Sequence, residues 1–353
     1  MMKRMIALLL AALMAAAALS GCGGSAQSST ESAGSSAKPA AASSDESAQS
    51  VSASTKEGGE PTKFKLMYTV WVGSAPLFIA QEKGFFEKYG IAPELVLNED
   101  ESQTAALLVS NSVQAESCVV DKVVSDYASG TDEKIGFIFD ESSGGDGIIA
   151  SADIKTVEDL AGKKVGIDTS STEFFFLYTI LTDHGMTMDD LELVDMDASS
   201  AGTAFLTGKL DAAVVWEPWL TKASERDGGH VLVSSAEYPR VIMDSLVVSS
   251  AFYEEHPEAV PALRNAWSDA VDYYLANPEE SIKIMAEGLD LTVKDMEEMI
   301  PGVTFLGNKE NAEFFDEKNE DSIYALVQKM ADFWVAQGVA DKGLDVSELV
   351  IHP

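Results

Sequence analysis

Short runs rich in β-branched and aromatic residues alternate with stretches of helical periodicity from Phe64 to Arg226, and this alternation leaves few folds open to the chain. Phe64–Tyr68 reads as a strand before a helical pattern from Pro76 to Tyr89, Glu94–Leu97 before Gln103–Ser110, and Ser117–Val120 before Val123–Ala128; Ile135–Phe139 closes the series. A second series follows: strand Lys163–Ile167, helix Thr172–His184, strand Leu191–Asp195, helix Ala201–Leu206, strand Asp211–Val215 and helix Pro218–Arg226. Strands of period two separated by helices of period 3.6 predict βαβ units, hence mostly parallel sheets with helices on both faces. Thr156 suits the cap of a short helix that Gly162 ends, marking entry to a second lobe. Ser245–Ser249 reads as a return strand, and the chain finishes in helices with Val260, Leu263, Trp267, Val271 and Tyr274, then Ile323, Leu326, Val327, Met330, Phe333 and Trp334, at helical spacing. The expected fold class is α/β: lobe 1 from 62–148 plus 246–353, lobe 2 from 149–245, and two crossings between them, the first near Ile148–Ala150.

The amino-terminal residues carry a different signal. Lys3 and Arg4 precede an apolar run from Met5 to Leu19, 15 residues, where a membrane-spanning helix needs about 20; small residues follow, so 1–21 reads as an export signal. Leu19-Ser20-Gly21-Cys22 resembles the bacterial lipoprotein box, which implies lipidation of Cys22 and, with two or more acyl chains, stable mooring to the bacterial cell membrane on its outer side. Residues 22–61 are Ser, Ala, Gly and scattered charge, a composition that buries too little apolar surface to order itself and is expected to form a disordered tether. The net charge is -34, which argues against nucleic acid as a partner, because phosphate contacts depend on Lys and Arg. With Cys22 lipidated, Cys118 has no disulfide partner; in the apolar run Ser117-Cys118-Val119-Val120 it reads as a buried, inert thiol.

In open α/β sheets a ligand lies beyond the carboxyl ends of the strands, so the loops there are where specificity is sought. The first holds Trp71-Val72-Gly73-Ser74-Ala75-Pro76, where Gly73 permits close backbone approach and Pro76 suits a first helical turn. The others hold Asp121-Lys122, then Asp140 to Gly147 with Ser143 and Asp146, then Asp168-Thr169-Ser170-Ser171-Thr172 at a helix start, and finally Trp216-Glu217-Pro218-Trp219. The expected ligand contacts are Trp71, Gly73, Ser74, Asp121, Ser143, Asp146, Asp168, Ser170, Ser171, Thr172, Trp216 and Glu217. Each has a plainer role open to it: Trp71, Trp216 and Trp219 could pack, Glu217 could cap the helix after Pro218, and Asp146 could organise a turn.

Residues 64–90, Asp146–Ala150, Thr156–Ile167 and above all Asp211-Ala212-Ala213-Val214-Val215-Trp216-Glu217-Pro218 resemble the nitrate/sulfonate/taurine family of ABC-importer substrate-binding proteins, over nearly all of Phe64–Ala340. The resemblance implies a type II periplasmic-binding-protein fold, two lobes closing on a small solute, and delivery to a membrane permease driven by an ATPase, by a monomer without a cofactor.

The sign of the ligand is contested. Helix N-termini converging on a cleft favour an anion, and the family implies sulfonate, taurine, nitrate or another small anion. The loops argue the other way: Asp121, Asp140, Asp146, Asp168, Glu173 and Glu217 stand against one base, Lys122, and an oxyanion desolvated beside carboxylates is disfavoured. An aromatic, acidic cleft suits an amine or guanidinium-like cation; a thiamine precursor, or presentation of the ligand to a sensor protein, are further readings. His184, His230, His256 and His352 lie in separate elements without metal-protease spacing, and the chain has no G-x-S-x-G elbow, Walker loop or paired-cysteine metal motif, so catalysis is not expected.

Overall fold

The computed structural model describes residues 59–98 and 103–352; Cys22, the export signal and nearly all of the tether lie outside them. No helix among the described residues is long and apolar enough to cross a membrane.

The alternation resolves into two sheets. The first contains β1 (Thr62–Tyr68), β2 (Ile91–Leu97), β3 (Ala115–Val119), β4 (Glu133–Ser142), β10 (Met243–Ser249) and β11 (Val303–Phe305), in the order β11-β4-β10-β3-β1-β2. The second contains β5 (Asp146–Ala150), β6 (Lys164–Ile167), β7 (Glu192–Asp195), β8 (Ala212–Trp216) and β9 (His230–Ser234), in the order β7-β6-β8-β5-β9. Every β5 residue is buried, as is every β10 residue.

The sheets are mixed rather than mostly parallel. Parallel pairing is confined to β2-β1-β3 and β7-β6-β8, where helices make the crossovers that parallel strands require. The strands flanking the crossings run antiparallel to their neighbours. The reason is geometric: the chain leaves the first sheet at the carboxyl end of β4 and returns at that same end, so β10 starts where β3 and β4 finish.

The crossings also sit elsewhere than expected. β5 belongs wholly to the second sheet and β10 wholly to the first, so the crossings are 143–145 and 235–242 instead of starting near Ile148 and ending at 245. The Ser- and Gly-rich stretch expected to be a cleft loop is itself the first crossing, with Gly144 at φ 120°, a conformation open chiefly to glycine. Ser235 Oγ fastens one crossing to the other, accepting from Gly144 N at 2.7 Å and lying 2.7 Å from Ser142 Oγ.

β4 is interrupted where it approaches the crossing. Its register with β10 skips Phe139 and Gly136, bulges of the kind that re-aim side chains beside functional sites. Asn311 repairs the ladder: its side chain accepts from Ile138 N at 2.7 Å and donates to Ile138 O at 2.9 Å, while Phe139 O accepts from Leu306 N at 2.8 Å. Phe139 packs edge-on between Phe137 and Trp267, whose indole N–H donates to Leu306 O at 2.9 Å. Truncating Asn311 orphans a buried donor and acceptor, so Asn311→Ala is expected to lower the unfolding free energy by about 3 kcal/mol, read as a lower urea midpoint at unchanged slope.

Candidate ligand-binding site

The bulged end of β4 delivers Asp140 beneath the loop that follows β1. Trp71 donates from Nε1 to Asp140 Oδ1 at 3.0 Å, and a Cβ on Gly73 would stand 2.3 Å from Asp140 Oδ2. Glycine at 73 is therefore what lets the loop lie on the carboxyl group. The other face of Trp71 reaches the crossing, since a Cβ on Gly145 would meet Trp71 Cη2 at 2.7 Å. Nearby, Asp121 occupies the first turn of helix Val120–Ala128, with its backbone held by Trp334 Nε1 donating to Asp121 O at 3.1 Å. Asp121 and Asp140 are the first lobe's contribution.

The second lobe presents Asp146 at the start of β5 and Glu173 in the first turn of helix Thr172–Asp183. Ser171, the N-cap, contacts Glu173 Oε2 and lies 2.9 Å from Asp168 O. The Thr172 hydroxyl, on a residue 9% exposed, has no hydrogen-bond partner; it faces Asp121 across the seam between lobes. The seam is also packed with aromatics: Phe333, on helix Ile323–Ala336, has its ring centroid 5.7, 5.3 and 4.7 Å from those of Phe174, Phe175 and Tyr178.

Asp121, Asp140, Asp146 and Glu173 are 1, 0, 4 and 1% exposed, and each keeps one carboxyl oxygen without a hydrogen-bond partner. Removing charge from water without a partner drives a carboxyl toward its neutral form. Burial pushes Asp121 up to about 6 against the lowering influence of Thr172 and nearby backbone N–H groups. Burial likewise raises Asp140, helped by the Asp146 charge and opposed by the Trp71 N–H. Asp146 is raised chiefly by burial, against the lowering influence of Ser142 and Glu173, with the Glu217 charge adding to the rise. Glu173 is pushed well up by burial and by Asp146. Among the described residues no cluster of His, Cys, Asp or Glu has the arrangement to hold a metal ion.

The expected contacts separate into two groups. Trp71, Gly73, Asp121, Asp146, Ser171 and Thr172 gather around the carboxyl row. Ser74 is fully buried, but its hydroxyl is engaged with Thr69 O and Trp71 O, so it shapes the loop. Ser143 lies against Thr304 at 2.8 Å on the crossing. Asp168 and Ser170 are occupied with one another, Ser170 Oγ donating to Asp168 Oδ1 at 2.7 Å with Ser170 exposed. Glu217 serves mainly as a local cap, accepting from Thr221 N and Oγ1 at 3.1 and 2.9 Å. Trp216 is 38% exposed, and its backbone is paired with Asp146. Trp219 packs on Gly202, where a Cβ would lie 2.4 Å from the indole ring. Lys122, the one base of these loops, pairs with Asp126. Asp140 and Glu173 were legible only as two of six loop acids; their central place comes from the β4 bulge and the register of the helix at Thr172.

The model of the NMT1/THI5-like family matches residues 71–281, which is more than half of the chain and spans the row of acids from Asp121 to Glu173. The chain belongs to the NMT1/THI5-like family. A Bacillus subtilis (strain 168) protein named for binding aliphatic sulfonates is 27% identical over 282 residues, 78% of this chain and 82% of that one. The taurine-binding periplasmic protein of Escherichia coli (strain K12) is 30% identical over 168 residues, 45% of this chain and 52% of its own. The crystal structure of the periplasmic aliphatic sulphonate binding protein SsuA from Escherichia coli superposes with a TM-score of 0.68 at 20% identity, over 82% of this chain and 97% of that one. The resemblance read from the sequence and the two-lobed periplasmic-binding-protein fold are thereby borne out.

Linkage gives the ligand-free protein a distinctive pH profile. Asp121 at about 6, Glu133 at about 8 and the raised Asp140, Asp146 and Glu173 hold protons in the folded state that the unfolded chain releases near pH 4. A raised carboxyl pKa makes stability fall as pH rises through that window, by about 1.4 kcal/mol per pH unit for each fully linked proton. The urea midpoint without ligand is expected to be higher at pH 5 than at pH 8, with an intermediate value near pH 6.5.

Proposed function

We propose that this protein captures an amine or guanidinium-like solute between its lobes outside the cell and hands it to an ABC permease and its ATPase, moored by lipid on Cys22 and acting without catalysis. The single observation that carries the ligand class is the row of desolvated carboxyl groups drawn from both lobes, each with an unpartnered oxygen and beside the Trp71 indole. A cation entering there would donate charge-assisted hydrogen bonds to buried carboxyl groups of both lobes, and contacts available from both lobes together favour the closed arrangement. An aromatic wall adds cation–π attraction.

Extracytoplasmic delivery is supported by the periplasmic relatives and by the export signal; the lipid anchor rests on Leu19-Ser20-Gly21-Cys22 alone. The second reading, a sulfonate such as the relatives' names record, is favoured by the convergence of the two helix N-termini at Val120 and Thr172. Against it, an oxyanion would have to sit among unpaired carboxyl groups.

A thermal-shift panel of amines, guanidines, sulfonates, nitrate, bicarbonate and pyrimidines decides between them. A solute at 100 times its Kd adds about 2.7 kcal/mol to the folded state, so amines or guanidines are expected to raise the melting temperature and sulfonates to leave it unchanged. A sulfonate response with none from the cations reverses the assignment. Trp71→Ala is expected to abolish the response while the protein without ligand still melts cooperatively.

A further inference from the structure

From the anchoring of the two crossings, and resting only on closure of the lobes whatever the sign of the solute, we propose that Arg240 is a strained swivel. Its backbone is held in a costly conformation while the lobes are together and relaxes when they part, so it returns the emptied protein to its open form.

The first crossing turns cheaply. Ser143 is tied to lobe 1, donating from N to Gly302 O at 2.8 Å and lying 2.8 Å from Thr304 Oγ1 through its hydroxyl. Gly145 spans the change of lobe: its N–H donates to Gly302 O at 3.1 Å, and its carbonyl accepts from Glu217 N of lobe 2 at 2.9 Å. Two consecutive glycines, Gly144 and Gly145, therefore take the bend, and glycine reaches either sign of φ at little cost.

The second crossing has no such freedom. Tyr238 belongs to lobe 2, its ring 6.1 Å from that of Phe176 and edge-on to it. Arg240 belongs to lobe 1: its N–H donates to Glu141 Oε2 at 3.2 Å, Nη1 donates to Asp321 O at 3.3 Å, and the guanidinium lies 5.4 Å from the centre of the Phe314 ring. Val241 and Ile242 are then buried. The change of lobe is confined to Pro239 and Arg240, and proline fixes its own φ and restricts the residue before it. Rotation is left to Arg240.

Arg240 stands at φ 63°. Among the described residues two other non-glycine positions have positive φ, Asn111 at 54° and Asp290 at 55°, and Asn and Asp tolerate this region through local hydrogen bonds of their short side chains. Arginine has no such compensation, so the conformation is imposed from outside the residue. What imposes it is the present position of the lobes, which are together: Phe333 packs on Phe174, Phe175 and Tyr178 across the seam. Ser235 Oγ, accepting from Gly144 N at 2.7 Å, binds the stiff crossing to the compliant one, so both turn about one axis.

The test is double electron–electron resonance without solute on the mature chain, carrying Cys118→Ala and spin labels at Lys63→Cys of lobe 1 and Lys209→Cys of lobe 2, both exposed positions. Arg240→Ala loses the guanidinium contacts and keeps the strained backbone, whereas Arg240→Gly loses the same contacts and the strain with them. The ratio of closed to open distances is expected to be about tenfold higher for Arg240→Gly than for Arg240→Ala, the worth of one strained residue. Asp290→Gly relieves strain in the turn after helix Pro278–Gly288 and is expected to raise Tm with the distances unchanged. Equal two-component distributions for Arg240→Gly and Arg240→Ala overturn the swivel while closure stands, as does a shift from Asp290→Gly as large as that from Arg240→Gly. One unvarying distance in every variant, which no solute of the panel alters, removes closure itself and the swivel with it.

Discussion

The structure turns on four carboxyl groups withheld from water at the meeting of two lobes. Buried acids without partners oppose folding, and a chain with 58 acidic residues had many exposed positions at which to place them. Asp121, Asp140, Asp146 and Glu173 instead converge where the lobes touch. At the seam Phe333 packs on Phe174, Phe175 and Tyr178, and burial favours the neutral form of the acids.

Supporting that arrangement takes more structure than the site itself. The Phe139 bulge turns the end of β4 so that Asp140 lies under Trp71, and the backbone groups freed by the bulge are taken up by Asn311 and Leu306. Gly73 and Gly145 let the indole press on the carboxyl group from one side and on the crossing from the other. Ser235 fastens the two crossings together close to Asp146. These interactions join the two crossings to the loop that covers Asp140.

Much of this was legible from the residues. The strands and helices fall within a few positions of where the periodicity puts them, because alternation of period 2 and 3.6 is a local property of the chain. The loops beyond the strand ends do contain the buried acids Asp121, Asp140, Asp146 and Glu173, where the general geometry of α/β sheets places a ligand. Within those loops the residue types misled. Ser74, Ser143, Ser170 and Glu217 carry the groups a ligand would want, but Ser74, Ser170 and Glu217 satisfy neighbours within their own turns and Ser143 satisfies Thr304 of β11, a competition for hydrogen bonds that composition does not reveal. The sheets were expected to be mostly parallel because the helices that alternate with the strands imply crossovers; the direction of β5 and β10 depends on the end at which the chain changes sheet.

The sequence alone determined the alternating architecture, the family, and the acidic and aromatic character of the loops, since each is written in the order and spacing of neighbouring residues. Only the tertiary structure decided which acids lose their water and which lobes they come from. Desolvation is a property of what surrounds a side chain in space: Asp140 and Asp168 are both loop acids in the sequence, yet one is sealed beneath an indole and the other is satisfied by the serines that follow it.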